Sequence, residues 1–322
     1  MNLIYSLKIT TVAMLQIFLL GFSGYFLARK KLASAENLKF LSGLVISLIF
    51  PCFVFVKLVE NFNFQSYCNW WVFPLLSFII TLAGLLVGLL FLKLDSGLKI
   101  FKKEFVSLIT FQNSGYLPLI LAAFLFPPGI QEQMFICIFL FLLGFNLVIW
   151  SVGVFYLKDK KERFELSSLL SPPVVAVVLA LFFIALGWIR LIPGFVIRPA
   201  KMLGDCALPL AMFVVGGNLA QIDFKLRENF KHIVYVSVAK LLFLPLLSFG
   251  LIFLLRPSLE IAFLILLQSA MPSATSLSVI MRHYDSKDNI TSLGIFWTHV
   301  AGLISIPLFL ILFSALRNFL IR

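Results

Sequence analysis

Residues 105–125 read FVSLITFQNSGYLPLILAAFL, an apolar segment interrupted near its centre by polar residues, a glycine and a proline. A transmembrane helix needs about 20 mainly apolar residues, so this segment is long enough to cross a bilayer. Proline removes a backbone donor and clashes with the preceding turn, and the polar groups of Asn113 and Ser114 are costly in lipid. The segment therefore predicts a membrane helix that is broken near mid-depth and turns its break towards protein or a cavity.

A second apolar segment, residues 260–281, is interrupted in a similar way. Its centre holds Gln268, Ser269, Pro272 and Ser273. Half-helix N-termini carry partial positive charge and free N–H groups, which suit a carboxylate, so both breaks are candidate substrate-binding sites. The candidate binding residues are Asn113, Ser114, Gly115, Gln268, Ser269, Pro272 and Ser273. Plain hydrogen bonding between helices is the alternative role for the serines.

The composition places these segments in a membrane protein. Of 322 residues, 61% are hydrophobic and 12% are charged, against about 45–50% and about 25% in soluble domains. A soluble globule of this composition would expose large apolar patches. The formal net charge is +12, but the basic residues form short runs between apolar segments, which favours contact with membrane lipids over nucleic acid. We predict an all-α polytopic membrane protein.

Ten apolar segments can be separated along the chain, and they are predicted to be ten transmembrane helices. Lys and Arg are roughly twice as frequent in the loops on one side, which the positive-inside rule makes cytoplasmic, so both termini are predicted outside. The location predicted is a cell membrane, with a bacterial inner membrane favoured by the short loops. The spans lie at about 8–28, 38–57, 70–92, 105–125, 134–157, 169–189, 202–220, 232–255, 260–281 and 293–316.

The two halves of the chain resemble each other around four prolines. Helix breaks are predicted at Pro51, Pro118, Pro209 and Pro272, in spans two, four, seven and nine. Corresponding spans are five apart, and a unit with an odd number of crossings re-enters the membrane in the opposite sense. We therefore predict a 5+5 inverted repeat, typical of secondary transporters. Its parts are residues 1–157, a short cytoplasmic link at 158–168, and residues 169–322.

Four motifs resemble the auxin efflux carrier family, including its bacterial malonate-carrier-like members. They are LIFPCFVF at 48–55, FQNSGYLP at 111–118, LPLAMFVVGGNLA at 208–220 and AMPSAT at 270–275. The resemblance implies that spans four and nine cross at their breaks, and that spans one, two, six and seven form a scaffold past which the rest moves as an elevator. It also implies small organic anions as substrates, dicarboxylates such as malonate in bacterial members and indole-3-acetate in plant ones. Asn113 matches an asparagine that lies at the family's substrate site.

Three ionisable residues in or beside spans are candidates for coupling: Asp205, Lys240 and His299. An interfacial position is the alternative for Asp205, snorkelling or pairing with a buried group for Lys240, and hydrogen-bonded packing for His299. Lys57 and Glu60 are expected to form a solvated pair at the outer surface. A proton and sodium are both open as coupling ions, and a homodimer is left open.

The sequence contains no catalytic constellation, so an enzyme is not predicted. The four cysteines are widely spaced, and neither a metal site nor a cofactor is expected. We therefore predict a secondary transporter of small organic anions. The alternatives are a sodium-coupled bile-acid-type symporter and a non-transporting membrane sensor.

Overall fold

The computed structural model describes residues 3–153, 170–221, 230–277 and 288–320, and these residues form helices and no strand. Three shorter apolar helices coincide with the predicted spans four, six and nine: Tyr116–Leu125, Pro172–Ala185 and Leu259–Ala270. The predicted link at 158–168 lies outside the described residues. Among the described residues, seven helical stretches are long and apolar enough to cross a membrane: Lys8–Arg29, Ala35–Asn61, Val72–Phe91, Ile130–Ser151, Gly194–Leu219, Lys231–Leu255 and Ile290–Leu316.

Residues 3–153, the described part of the first half, contain seven α-helices. A π-helical segment, Val45–Ile49, joins the second helix to the third and widens the turn that precedes Pro51. Pro51 itself lies in the first turn of the third helix, where a missing N–H is tolerated. The helices are α1 (Leu3–Arg29), α2 (Ala35–Leu44), α3 (Phe50–Asn61), α4 (Val72–Phe91), α5 (Lys102–Thr110), α6 (Tyr116–Leu125) and α7 (Ile130–Val148).

The second half contains seven further helices among the described residues. A π-helical segment, Ala239–Phe243, again precedes a proline, Pro245. Pro209 lies in the first turn of a helix that starts after an interruption at Cys206. The helices are α8 (Pro172–Ala185), α9 (Gly194–Asp205), α10 (Ala207–Leu219), α11 (Phe230–Val238), α12 (Leu244–Leu255), α13 (Leu259–Ala270) and α14 (Asp288–Leu320).

Helices α1 and α10 cross with their backbones in contact. A Cβ added at Gly216 would lie 1.8 Å from the carbonyl oxygen of Gly21, and one added at Gly24 would lie 2.0 Å from that of Phe213. Only glycine permits this approach, and small residues serve the same purpose where membrane helices cross closely. The contact joins the first predicted span to the seventh.

The most deeply buried helices are α5, α6, α7 and α13. The side chains of residues 135–141 on α7 and of residues 264–267 on α13 are almost completely inaccessible. Helix α4, in contrast, exposes leucines such as Leu82 and Leu86 along one face. The two interrupted helices therefore lie inside the bundle, and the outer helices present apolar side chains as a membrane requires.

Candidate functional site

Two short non-helical segments meet at the centre of the bundle. Helix α5 ends at Thr110 and α6 begins at Tyr116, so residues 111–115 form the first break. Helix α13 ends at Ala270, and residues 271–275 form the second. Gln112, Asn113 and Ser273 are all buried. The first break therefore comes before Pro118, which lies within α6. Pro272, in contrast, lies inside the second break.

The two breaks are joined by backbone hydrogen bonds. The amide N–H of Asn113 donates to the carbonyl of Pro272 at 2.8 Å, and that of Ala274 donates to the carbonyl of Phe111 at 2.9 Å. Gln112 and Ser273 form an isolated antiparallel β-bridge between these bonds. Buried backbone groups must find partners, and here each break supplies partners for the other.

Side chains add further bonds around the breaks. The Ser273 hydroxyl donates to the carbonyl of Leu108 at 2.7 Å, and the Gln268 amide donates to the carbonyl of Ser114 at 3.2 Å. The amide N–H of Ser273 donates to the Thr298 hydroxyl at 3.2 Å. These three contacts hold the segments in place and attach them to α14.

Asn113 and His299 form a polar pair. His299 Nδ1 lies 2.8 Å from the carbonyl oxygen of Ile295. Since a carbonyl only accepts, Nδ1 carries the proton, and in the neutral ring Nε2 is then an acceptor. Asn113 Nδ2 lies 3.3 Å from this Nε2 and donates to it. The side-chain amide of Asn113 is thus a donor whose present acceptor, His299 Nε2, could be replaced by a stronger one.

An apolar cavity of about 300 Å³ adjoins this pair. His299 lies in its wall, and Tyr25 is the other residue with a polar side chain among those that line it. The remaining lining residues come from α1, α6, α10 and α14, and include Met14, Leu117 and Met212. The cavity can therefore enclose an apolar group next to a small polar edge.

Lys240 is a buried cation close to the first break. It lies in the π-helical segment between α11 and α12 and is 1% exposed. Its ammonium donates to the carbonyl oxygen of Ile109 at 2.7 Å, in the last turn of α5. No carboxylate of the described residues lies within ion-pair distance of it. A helix C-terminus favours a cation, which offsets part of the cost of burying this one.

A family model described as "Membrane transport protein" matches residues 9–168 and 161–310. The chain belongs to this family, the auxin efflux carriers. Protein PIN-LIKES 7 of Arabidopsis thaliana is 22% identical over an alignment that covers 99% of this chain and 100% of the relative. An uncharacterized transporter of Methanocaldococcus jannaschii is 22% identical, over 91% of this chain and 95% of the relative. An uncharacterized transporter of Schizosaccharomyces pombe is 31% identical over 34% of this chain.

Around the breaks of this auxin efflux carrier, the structure brings together most of the residues predicted from sequence. Asn113 bonds to the carbonyl of Pro272 and Gln268 to that of Ser114, so both join the two interrupted segments. Ser273 bonds to Leu108 near the end of α5, and Ser269 and Gly115 are adjacent along the chain to Gln268 and Ser114. Asp205 is not part of this group: it is exposed at the end of α9, which packs chiefly against α3. Within the described residues, no cluster of three or more His, Cys, Asp or Glu could hold a metal ion.

Two buried polar residues at the centre of the carrier were not predicted from the sequence as site residues. Gln112 is 1% exposed, and neither atom of its side-chain amide has a hydrogen-bond partner in the described structure. Thr298 is fully buried and accepts from Ser273. The only signal for Gln112 was its position beside Asn113, and for Thr298 its position beside His299. The side-chain oxygen of Gln268 is likewise without a partner.

The expected pair of Lys57 with Glu60 was wrong. Lys57 on α3 pairs with Glu132 on α7, with 2.9 Å between Nζ and Oε1, and Glu60 pairs with Lys201 on α9 at 2.8 Å. Residues 57 and 60 are on neighbouring turns of one helix, but each pairs with a residue of another helix. The first pair links α3 to α7, whereas the second links α3 to α9.

Proposed function

We propose that this auxin efflux carrier is a secondary transporter of small organic anions, with its substrate site at the two helix breaks. The observation that carries the proposal is the pair of interrupted helices whose breaks meet at a buried polar centre beside a cavity. Irregular backbone at membrane depth is tolerated where it lines a cavity or contacts protein, and in transporters such breaks form substrate sites.

The chemistry around the breaks suits a carboxylate. Asn113 Nδ2 donates only to a neutral imidazole nitrogen, and a carboxylate is a stronger acceptor that could replace it. Helix α6 begins at Tyr116, and Leu117 of its first turn lines the cavity, so the positive end of this half-helix borders the same space. Protonated Lys240, bonded to the end of α5, would add a positive charge beside the first break. Because most of the cavity wall is apolar, an acid with one carboxylate and an apolar body should fit better than a short dicarboxylate.

The proposal includes a ten-helix, 5+5 inverted repeat and an elevator-type movement. The scaffold would be α1–α3 with α8–α10, and the remaining helices would carry the substrate. Two observations support this division: α1 and α10 are in backbone contact, and the cavity lies between these two helices and α6 with α14. A substrate in the cavity would thus lie at the boundary between the two groups of helices.

Coupling could use the membrane potential, a proton or sodium. An exported anion gains about 2.3 kcal/mol per charge for each 100 mV. A sodium-coupled symporter would need oxygen ligands near the crossing, and the unpaired side-chain oxygens of Thr110, Gln112 and Gln268 are candidates among the described residues. A non-transporting sensor would bind an anion at the same centre without moving it.

The test is uptake by proteoliposomes of radiolabelled malonate and of aromatic and aliphatic monocarboxylates, under imposed pH, sodium and voltage gradients. Asn113→Ala removes the proposed carboxylate donor, whereas the control Asn146→Ala removes an amide of α7 that bonds only to the carbonyl of Leu142. We expect Asn113→Ala to lose uptake and the control to keep it. Binding without flux would favour the sensor, and no binding or flux of any carboxylate would overturn the organic-anion proposal.

A further inference from the structure

We propose that a groove at the end of α4 is a binding site for an anionic phospholipid, separate from the transport site. The chain between α4 and α5, together with the first residue of α5, brings Lys93, Lys99 and Lys102 around a cavity of about 670 Å³ whose other lining residues are leucines. One end of the groove is thus cationic and the other apolar. This is the pattern that a phospholipid requires, with its phosphate at one end and an acyl chain at the other.

The apolar end of the groove lies on a helix that can cross the membrane. Leu86, Leu89 and Leu90 line it, and they belong to the candidate span Val72–Phe91. Leu86 and Leu90 are 54% and 59% exposed, so their side chains point away from the bundle. An acyl chain can therefore lie along this face without leaving the bilayer.

The cationic end is not neutralised by the protein. Within the described part of the chain, none of the three lysines forms an ion pair. The carboxylate in the same loop, Asp95, forms an ion pair with Lys231 instead, with 2.5 Å between Oδ2 and Nζ. This contact and a hydrogen bond from the backbone N–H of Gly97 lower the pKa of Asp95 from its ordinary value, so it stays ionised and paired. The groove keeps a net positive charge.

The loop that presents the lysines is anchored at several points. Asp95 Oδ1 accepts from the N–H of Gly97 at 2.9 Å and caps a short 3-10 helix, Ser96–Phe101. Leu98 on this helix is completely buried, and the Phe101 ring packs edge-on against His232 with 5.3 Å between ring centres. Lys99 and Lys102 are therefore held near the groove by a fixed backbone, which lowers the entropy cost of binding a phosphate.

The site lies where anionic lipids would meet it. The groove opens at the end of a membrane helix, on the side that the distribution of Lys and Arg predicts to be cytoplasmic, and basic pockets there bind anionic headgroups. Lysine also extends its aliphatic stem along apolar surface while its ammonium stays at the interface. The lipid class we assign is a phospholipid with a net negative headgroup, such as phosphatidylglycerol.

Native mass spectrometry of the purified full-length chain, titrated with phosphatidylglycerol or phosphatidylcholine, tests the proposal. The triple variant Lys93→Gln, Lys99→Gln, Lys102→Gln removes the charges, and Lys30→Gln, Lys31→Gln, Lys39→Gln removes three exposed lysines from the same predicted side. We expect the first variant to weaken phosphatidylglycerol binding about fivefold for each lysine removed. The second variant should bind like the wild type, and all proteins should bind phosphatidylcholine weakly.

Two further measurements separate the alternatives. A triple Lys→Arg variant at the same positions should keep the binding, because it keeps the charge. If the triple Gln variant fails to fold, Lys99→Gln alone should still show the fivefold loss. Unchanged phosphatidylglycerol binding in the Gln variants, or equal loss in the control, would overturn the site. Displacement of the lipid by millimolar glycerol phosphate would show a free-phosphate site and would overturn the lipid assignment.

Discussion

Lys240 lies buried near the breaks, where the proposed function would give it a role in attracting an anion. Taking a charged ammonium out of water costs several kcal/mol, and its one hydrogen bond, to the carbonyl of Ile109, offsets only part of this cost. Stability alone therefore gives little reason for a lysine here. Attraction of an anionic substrate, under the function proposed above, would supply such a reason.

Lys240→Met tests this role. The substitution removes a costly buried charge and also one hydrogen bond, so we expect the free energy of unfolding to stay within about 1 kcal/mol of the wild-type value. Carboxylate uptake should fall at least about tenfold, which corresponds to about 1.4 kcal/mol of lost attraction. Leu241→Met, at the neighbouring buried position, is the control and should transport normally. Full uptake in Lys240→Met, or a large loss of stability, would contradict the role.

At the same scale, the sequence predicted those site residues whose polarity is unusual for a membrane span. Asn113, Ser114 and Gln268 stand out because an amide or hydroxyl in an apolar segment needs a partner. The partner itself is not encoded locally: the nitrogen that accepts from Asn113 belongs to His299, and Lys57 bonds to Glu132 rather than to the acid in the next turn. Such contacts depend on how distant helices pack, which a single segment does not specify.

At the scale of helices, prolines indicated where spans are disturbed, but the form of the disturbance varied. Pro272 lies in a true break, while Pro51 follows a π-helical segment and Pro118 lies inside α6. Proline is tolerated in the first turn of a helix and also ends a helix. A proline in an apolar segment is therefore compatible with either a new helix start or a break. The backbone pairing of residues 111–115 with 271–275 requires both segments at once and was not derivable from either alone.

The crossing of α1 and α10 gives a prediction at this scale. Gly216→Ala would place a Cβ 1.8 Å from the backbone oxygen of Gly21, so the helices would have to separate. Overpacking typically costs about 1–3 kcal/mol, and here the obstacle is backbone, so we expect the upper part of that range or a failure to fold. Gly250→Ala on α12 meets no atom within 4 Å and should be neutral or stabilising by up to about 1 kcal/mol. Thermal unfolding in detergent measures both; similar melting temperatures would contradict the close crossing.

For the whole molecule, the decisive feature is the boundary between the proposed scaffold and the helices that would move. The cavity lies on it, between α1 and α10 on one side and α6 and α14 on the other. The ion pair of Lys57 with Glu132 also bridges it, from α3 to α7. An elevator movement must break this pair in each cycle, whereas the pair of Glu60 with Lys201 lies within the scaffold and stays intact.

Cross-linking these two pairs distinguishes a moving carrier from a rigid one. With Cys68 and Cys206, both exposed, replaced by serine, we would introduce Lys57→Cys with Glu132→Cys, or Glu60→Cys with Lys201→Cys, and join each pair with a short thiol-reactive linker. The first cross-link should abolish carboxylate uptake while substrate binding persists, and linker cleavage should restore uptake. The second should leave uptake unchanged, because both of its residues belong to the scaffold. Normal uptake with α3 covalently joined to α7 would show that substrate crosses without relative movement of these helices, and the elevator mechanism would then be wrong for this carrier.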